Sequence, residues 1–162
     1  MNASKTADVV RLIAAVAVSQ LAGAVGSVFT ASSVSTWYVT LAKPSFNPPG
    51  WLFGPVWITL YTLMGTAAWL VWREGLDERR VRVGLVLFAA QLVLNAAWSL
   101  LFFGLRLPMF AFVEIVVLWS AIVLTTAAFS RVSSLAAALM VPYIAWVSFA
   151  AVLNYSIARL NP

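Results

Sequence analysis

The chain contains no cysteine and no histidine. Their absence removes disulfides, thiolate nucleophiles and the commonest nitrogen and sulfur metal ligands together. It also excludes axial histidine or thiolate coordination of a haem, leaving only Met or Tyr for that role. Acid–base chemistry is nearly as sparse. Five carboxylates serve 162 residues, and Asp8, Glu74, Asp77 and Glu78 fall outside the apolar segments, so no hydrolytic triad can be built and no metal site is expected. A glycine-rich phosphate loop is missing too. Charged residues make up 9% of the chain against 63% hydrophobic, with a mean hydropathy of +0.96; soluble domains are about a quarter charged and nearer half apolar. This composition belongs in lipid.

Spanning a bilayer takes roughly 20 mainly apolar residues. Windows of about that length without interior charge occur at about 12–30, 50–72, 83–105, 108–130 and 134–158. The pattern predicts an all-α integral membrane protein, a bundle of five transmembrane helices in which residues 1–162 form a single domain. The first window has the basic start of a signal peptide, but its apolar run continues to Phe29 and Asp8 interrupts the basic segment, so a retained helix is expected. Lys5, Arg11, Arg73, Arg79, Arg80, Arg82 and Arg131 fall on one side, against Lys43, Arg106 and Arg159 on the other. That asymmetry predicts a cytoplasmic N-terminus, with the C-terminus and the 31–49 connection outside. The net charge of +5 and pI of 10.3 are accordingly topogenic, and without a basic stripe on a soluble face no nucleic-acid partner is expected.

Helical periodicity sorts the unusual residues onto faces. In the third span Gln91, Asn95 and Trp98 fall at i, i+4 and i+7. Trp57, Tyr61 and Met64 repeat that spacing in the second. Tyr143, Ala150 and Asn154 align in the fifth, with Trp146 one turn before Ala150. The first span contributes Gly23, Gly26 and Ser27, which either floor a pocket or let helices pack closely. Trp37, Trp51 and Trp72 sit near span ends, as an interfacial belt requires, whereas Trp57, Trp98 and Trp146 lie about two turns inside, where a belt does not account for them. Three helices each carrying an aromatic stripe with an occasional amide or hydroxyl predict a cavity for a flat apolar ligand. Glu114, alone at membrane depth, is costly there and is expected to face the bundle interior and meet a polar partner.

Residues 37–57, WYVTLAKPSFNPPGWLFGPVW, hold three tryptophans, three other aromatics and four prolines. Asn47-Pro48-Pro49 has the form of a helix start, with Asn47 as cap, and Pro44 and Pro48 stiffen the approach. The stretch is read as a lid over the open end of the bundle.

Trp37-Tyr38 through Lys43-Pro44 to Pro48-Pro49, continuing as WLFGPVWITLY, resembles the hallmark of the translocator protein family, also called tryptophan-rich sensory proteins or peripheral benzodiazepine receptors (TspO/MBR). QLVLNAAWSLLFFG at 91–104 and VPYIAWVSFAAVLNYSIAR at 141–159 are similar to its third- and fifth-helix motifs. The similarity covers nearly the whole chain after about residue 20. It implies a five-helix bundle, usually a homodimer, whose loop-covered cavity takes protoporphyrin IX and related tetrapyrroles, sterols in some members, and synthetic isoquinoline carboxamides or benzodiazepines. No cofactor is required. Carried over, Gly26, Trp57, Asn95, Trp98, Trp146, Ala150 and Asn154 match cavity residues; Tyr61, Glu114 and Tyr143 join the ligand-binding set from their faces and depth, and Trp37, Tyr38, Lys43, Pro44, Pro48 and Pro49 form the lid. Val152, Tyr155 and Arg159 fit the family's sterol motif, although Val34, Tyr38 and Lys43 fit the same loose expression. Ala96 and Phe110 stand where some animal members carry tryptophan, and Glu114 where they carry aspartate. These departures, with eight arginines against two lysines, point to a bacterial cell envelope.

The expected function is a membrane receptor or sensor for tetrapyrroles. Two alternatives stand beside it: a porphyrin or sterol transporter, and a light- or oxygen-dependent porphyrin-degrading enzyme in which Trp57 and Trp146 are the candidate catalytic indoles. Five helices offer no inverted-repeat pairing of halves, and the chain lacks a ligand set for metal catalysis.

Overall fold

Short links between long apolar runs leave consecutive helices no choice but to run antiparallel. A computed structural model describes residues 3–162: α1 (Ala3–Val34), α2 (Phe53–Trp72), α3 (Arg79–Ser99), α4 (Pro108–Ser130) and α5 (Ser134–Leu160), with no strand among those residues. All five helices are long and apolar enough to cross a bilayer. Helix α1 starts well before the window at 12–30 because charge bounded that window, whereas helical hydrogen bonding continues through the polar flank. There Asp8 is used: its backbone carbonyl and its carboxylate accept from Trp69 Nε1 at 3.1 and 3.0 Å.

The principal contacts close the helices into a ring in the order α1, α2, α5, α4, α3, with α2 and α3 also touching across it. Fully buried side chains line the inside at helical spacing: Met64 and Val71 on α2, Ile122 and Phe129 on α4, and Met140, Tyr143 and Val147 on α5. Phe88 of α3 stacks on Phe129 at 5.8 Å. Small residues set the closest approach. A Cβ on Gly65 would lie 2.5 Å from Val16 Cα and 2.9 Å from Ala15 O, both backbone atoms of α1. Gly84 of α3 is likewise closed off by Phe129, at 3.1 Å.

Helix α3 does not end at Ser99. It widens into a π turn, Leu100–Gly104, and the last turn of α1 supplies Ser33 Oγ, which donates to Phe103 O at 2.7 Å. Loosened turns of this kind free backbone groups that need outside partners. The turn presents Phe102 and Phe103 to the connection from α1, whose Trp37 meets Phe102 at 5.7 Å and Tyr38 meets Phe103 at 5.6 Å.

The expected helix start at Asn47 is wrong. Pro49 is extended (ψ 139°), a 3₁₀ turn spans Gly50–Leu52, and α2 begins at Phe53 with no side-chain cap. Consecutive prolines hold the residues before them out of the helical region, so Asn47 cannot reach the amides it would cap. It accepts instead from Tyr38 Oη at 2.9 Å and donates to Pro48 O at 3.0 Å, bracing the connection internally.

Gly65→Ala drives a methyl into the α1 backbone and is expected to cost about 1–3 kcal/mol. Unfolding from mixed micelles checks this: a midpoint equal to wild type would show that α1 and α2 have room to part.

Candidate functional site

Facing stripes on α2, α3 and α5 bring a tyrosine, an asparagine and a second tyrosine together. Tyr61 Oη donates to Asn95 Oδ1, and Asn95 Nδ2 donates to Tyr143 Oη at 2.9 Å; all three residues are buried. One amide thereby joins three helices, using its acceptor for one neighbour and its donor for another. About one turn along α3, Trp98 Nε1 donates to Asn154 Oδ1 at 2.9 Å, and Asn154 Nδ2 donates to Pro108 O at 2.8 Å. This second link draws the start of α4 into the same network.

Aromatic rings fill the space around these bonds. Trp57 stacks on Tyr61 (5.4 Å between centroids) and meets Tyr143 edge-on at 6.2 Å. Phe53 meets Trp146 at 5.9 Å, and Trp98 stacks on Phe102 at 5.2 Å. Trp98, Phe53 and Phe149 share one packed cluster with Trp37, Tyr38 and Leu41 of the connection, built around Phe102, Ala111, Leu153 and Ile157. The site and the connection are therefore continuous. On the floor, a Cβ on Gly23 would enter the Tyr61 ring at 2.3 Å, and one on Gly26 would sit 2.9 Å from Ser99 Oγ. Both glycines serve close packing here.

Ring contacts occupy part of the space between the stripes. Two hollows of about 250 Å³ occur among the described residues, one beside Trp119 and Ser148, lined mostly by exposed residues, and the other beside Pro55 and Pro142, where exposed residues make up half the lining. Neither is lined by Asn95, Trp98 or Asn154. Glu114 corrects a second expectation: both carboxyl oxygens are buried, but neither has a hydrogen-bond partner, and the same holds for the amide of Gln91. Among the described residues the one ion pair is Arg80 with Glu78 at 3.9 Å, so Arg106 does not reach the buried acid. No cluster of three metal-ligating side chains occurs among the described residues.

The TspO/MBR family model matches residues 15–160. The chain belongs to the TspO/MBR family. It is 54% identical to the tryptophan-rich protein TspO of Chlorobaculum tepidum over 86% of this chain and 89% of that one. It is 41% identical to the TspO of Archaeoglobus fulgidus over 95% and 99%, and 46% identical to the human translocator protein over 85% and 82%. With five helices long enough to span, this member of the family is an integral, multi-pass membrane protein.

The remaining candidates divide. Ala150 is half-buried and packs against the main core. Val152 and Tyr155 are exposed on the outside of α5, where the Tyr155 ring lies 5.0 Å from Phe112; Arg159 is exposed as well. The motif thus faces away from the Asn95 network. In the connection, Lys43 Nζ sits 4.7 Å over the Tyr38 ring and donates to Leu41 O at 3.0 Å. Burial pushes the Tyr38 phenol above its ordinary pKa, which keeps it a neutral donor to Asn47 until alkaline pH. Sequence reasoning missed Phe53, Phe102 and Phe103. The Phe-Phe-Gly run was the available signal, but it reads as ordinary helix unless the π turn is known.

Replacing Asn95 with Ala leaves two buried tyrosine hydroxyls without their shared partner. A loss of about 1–2 kcal/mol in unfolding from mixed micelles is expected, and Asn95→Ala combined with Tyr61→Phe is expected to cost less than the sum of the two. Additive losses would mean that the bond contributes nothing.

Proposed function

We propose that this protein is a membrane receptor that binds tetrapyrroles such as protoporphyrin IX, and related flat apolar molecules such as isoquinoline carboxamides, between α2, α3 and α5. The observation carrying this reading is the convergence of Trp57, Trp98 and Trp146 with Asn95, Asn154, Tyr61 and Tyr143 from three helices. Indoles supply wide faces for a macrocycle; amides and phenols supply a few directional bonds that orient it. Gly26 and Ala150 keep the walls thin, and Glu114 on α4 offers a buried carboxyl without a hydrogen-bond partner.

Sites for ligands of this size occupy roughly 300–1,000 Å³, so binding requires the packed rings to part. Trp98 and Phe102 belong to the cluster on which Trp37 and Tyr38 rest. Occupancy of the interior therefore disturbs the connection, which acts as a lid, and the empty and filled states differ at the membrane surface. A ligand that favours one of two such states shifts their populations. That coupling is the physical basis for a sensor regulating porphyrin or stress responses. Relatives carry the names translocator protein and tryptophan-rich sensory protein, and the second agrees with this reading.

The same reading places the protein in a bacterial envelope membrane with its arginine-rich end, Arg73 to Arg82 and Arg131, in the cytoplasm. It functions as a homodimer; the exposed strip Val86, Ala89, Ala90 and Val93 on α3 supports close approach of a second copy.

Titration of the protein in nanodiscs with protoporphyrin IX, in the dark, tests the proposal through quenching of tryptophan fluorescence. Saturable binding is expected, weakened about twofold to tenfold by Trp57→Phe or Trp146→Phe, with the porphyrin spectrum intact. Absence of saturable binding sinks the tetrapyrrole reading. Conversion of the porphyrin to a defined product under light, lost in either variant at unchanged affinity, would make the protein an enzyme instead.

A further inference from the structure

Residues 35–49 touch the bundle almost entirely through rings and aliphatic side chains. Such contacts are strong but weakly directional, and they do not fix where a segment stops along a surface. Among the described residues, the hydrogen bonds of this connection stay within it, run on into the 3₁₀ turn, or reach back to the last turn of α1, with one exception. The amide of Ala42 donates to Asn161 Oδ1 at 3.0 Å, and Asn161 Nδ2 donates to Ala42 O at 2.9 Å. A single carboxamide thus grips one residue's backbone from both sides, as a neighbouring β-strand would.

Local geometry presents that backbone. Leu41 is extended (ψ 142°), Lys43 folds back onto Leu41 O and the Tyr38 ring, and Pro44 follows, so the segment is stiff and the small Ala42 side chain leaves its amide and carbonyl accessible. Asn161 is held in turn at the end of α5 by donating to Ile157 O at 2.8 Å. It lies two helical turns beyond Asn154, the residue that accepts from Trp98.

We propose that Asn161 is a positioning residue that latches the lid over the ligand site and sets how fast a ligand enters and leaves. The inference rests on the receptor reading above, because a latch matters to binding only if the connection is a lid. Both bonds are solvent-facing, so each is modest and the latch opens readily. On this proposal the displacement of Trp37 and Tyr38 by a ligand stops short of Ala42, so the latch is made with the site empty or filled, and its removal speeds entry and exit alike and leaves the equilibrium unchanged.

Rapid-mixing kinetics of protoporphyrin IX with the full chain in nanodiscs, alongside amide hydrogen exchange of the ligand-free protein, test this with Asn161→Ala and Asn161→Asp. For Asn161→Ala, association and dissociation rates are expected to rise together by about fivefold to thirtyfold, with Kd within about twofold of wild type. Exchange is expected to accelerate in residues 36–43 and not in α5. Asn161→Asp keeps the acceptor for Ala42 and loses the donor, so its rates should fall between the two; were fraying of α5 the cause, the carboxylate at the helix C-terminus would make Asp the worse substitution. Unchanged rates, or faster dissociation alone, overturn the latch. A wild-type protein without saturable porphyrin binding fails the receptor reading, and exchange then decides: unchanged exchange overturns the latch, and acceleration confined to 36–43 upholds it.

Discussion

The amide of Asn95 is the interaction on which the rest of the interior depends. In a protein surrounded by hydrocarbon, a buried donor or acceptor has no water to fall back on, and Asn95 brings both into the centre of the ring. Tyr61 and Tyr143 answer it from opposite sides. Their hydroxyls hold α2 and α5 at a fixed rotation relative to α3, and that rotation in turn aims Trp57 and Trp146 inward. Apolar packing alone would tolerate small turns of each helix; the three-way hydrogen bond does not.

The connection between α1 and α2 obeys a different rule. It packs by aromatic edges onto Phe102 and Phe103, which reach it because α3 unwinds into a π turn and Ser33 satisfies a carbonyl of that turn. A regular helix would rotate these rings elsewhere. The segment then finds its place through rigidity as much as through contact: Tyr38 is tied to Asn47, Lys43 to Leu41, and the prolines limit what lies between. At the opposite end of the bundle the logic repeats in smaller form, where Trp69 receives Arg73 over its ring and donates to Asp8.

The five spans were legible because charge is expensive in lipid and the sequence confines it to the links. Gln91, Asn95 and Trp98 were legible as a face for the equally simple reason of helical period. Period, however, gives direction and not distance. It placed Trp57 and Tyr61 on one side of α2 without revealing that they stack on each other. It predicted a partner for Glu114 that the fold does not supply. Asn47 resembled a cap by composition, but two prolines after it withheld the helix that a cap needs. Asn161 was invisible for a related reason: a side-chain bond spanning 119 residues leaves no trace in local spacing. Family resemblance and periodicity pointed to the same residues, Trp57, Asn95, Trp98, Trp146 and Asn154, because both follow the inward faces of α2, α3 and α5.

The order of helices around the ring bears on how the molecule is made. Helix α5 follows the other four in sequence, yet it stands between α2 and α4 and carries both Tyr143 and Asn154. A nascent chain that has inserted only four helices has an unsealed seam along its side, with the donor groups of Asn95 and Trp98 turned toward lipid. Synthesis of α5 both closes the wall and quenches those groups, so loss of this helix does not yield a slightly smaller bundle. It yields an open assembly intermediate in which Asn95 and Trp98 lack their partners on α5.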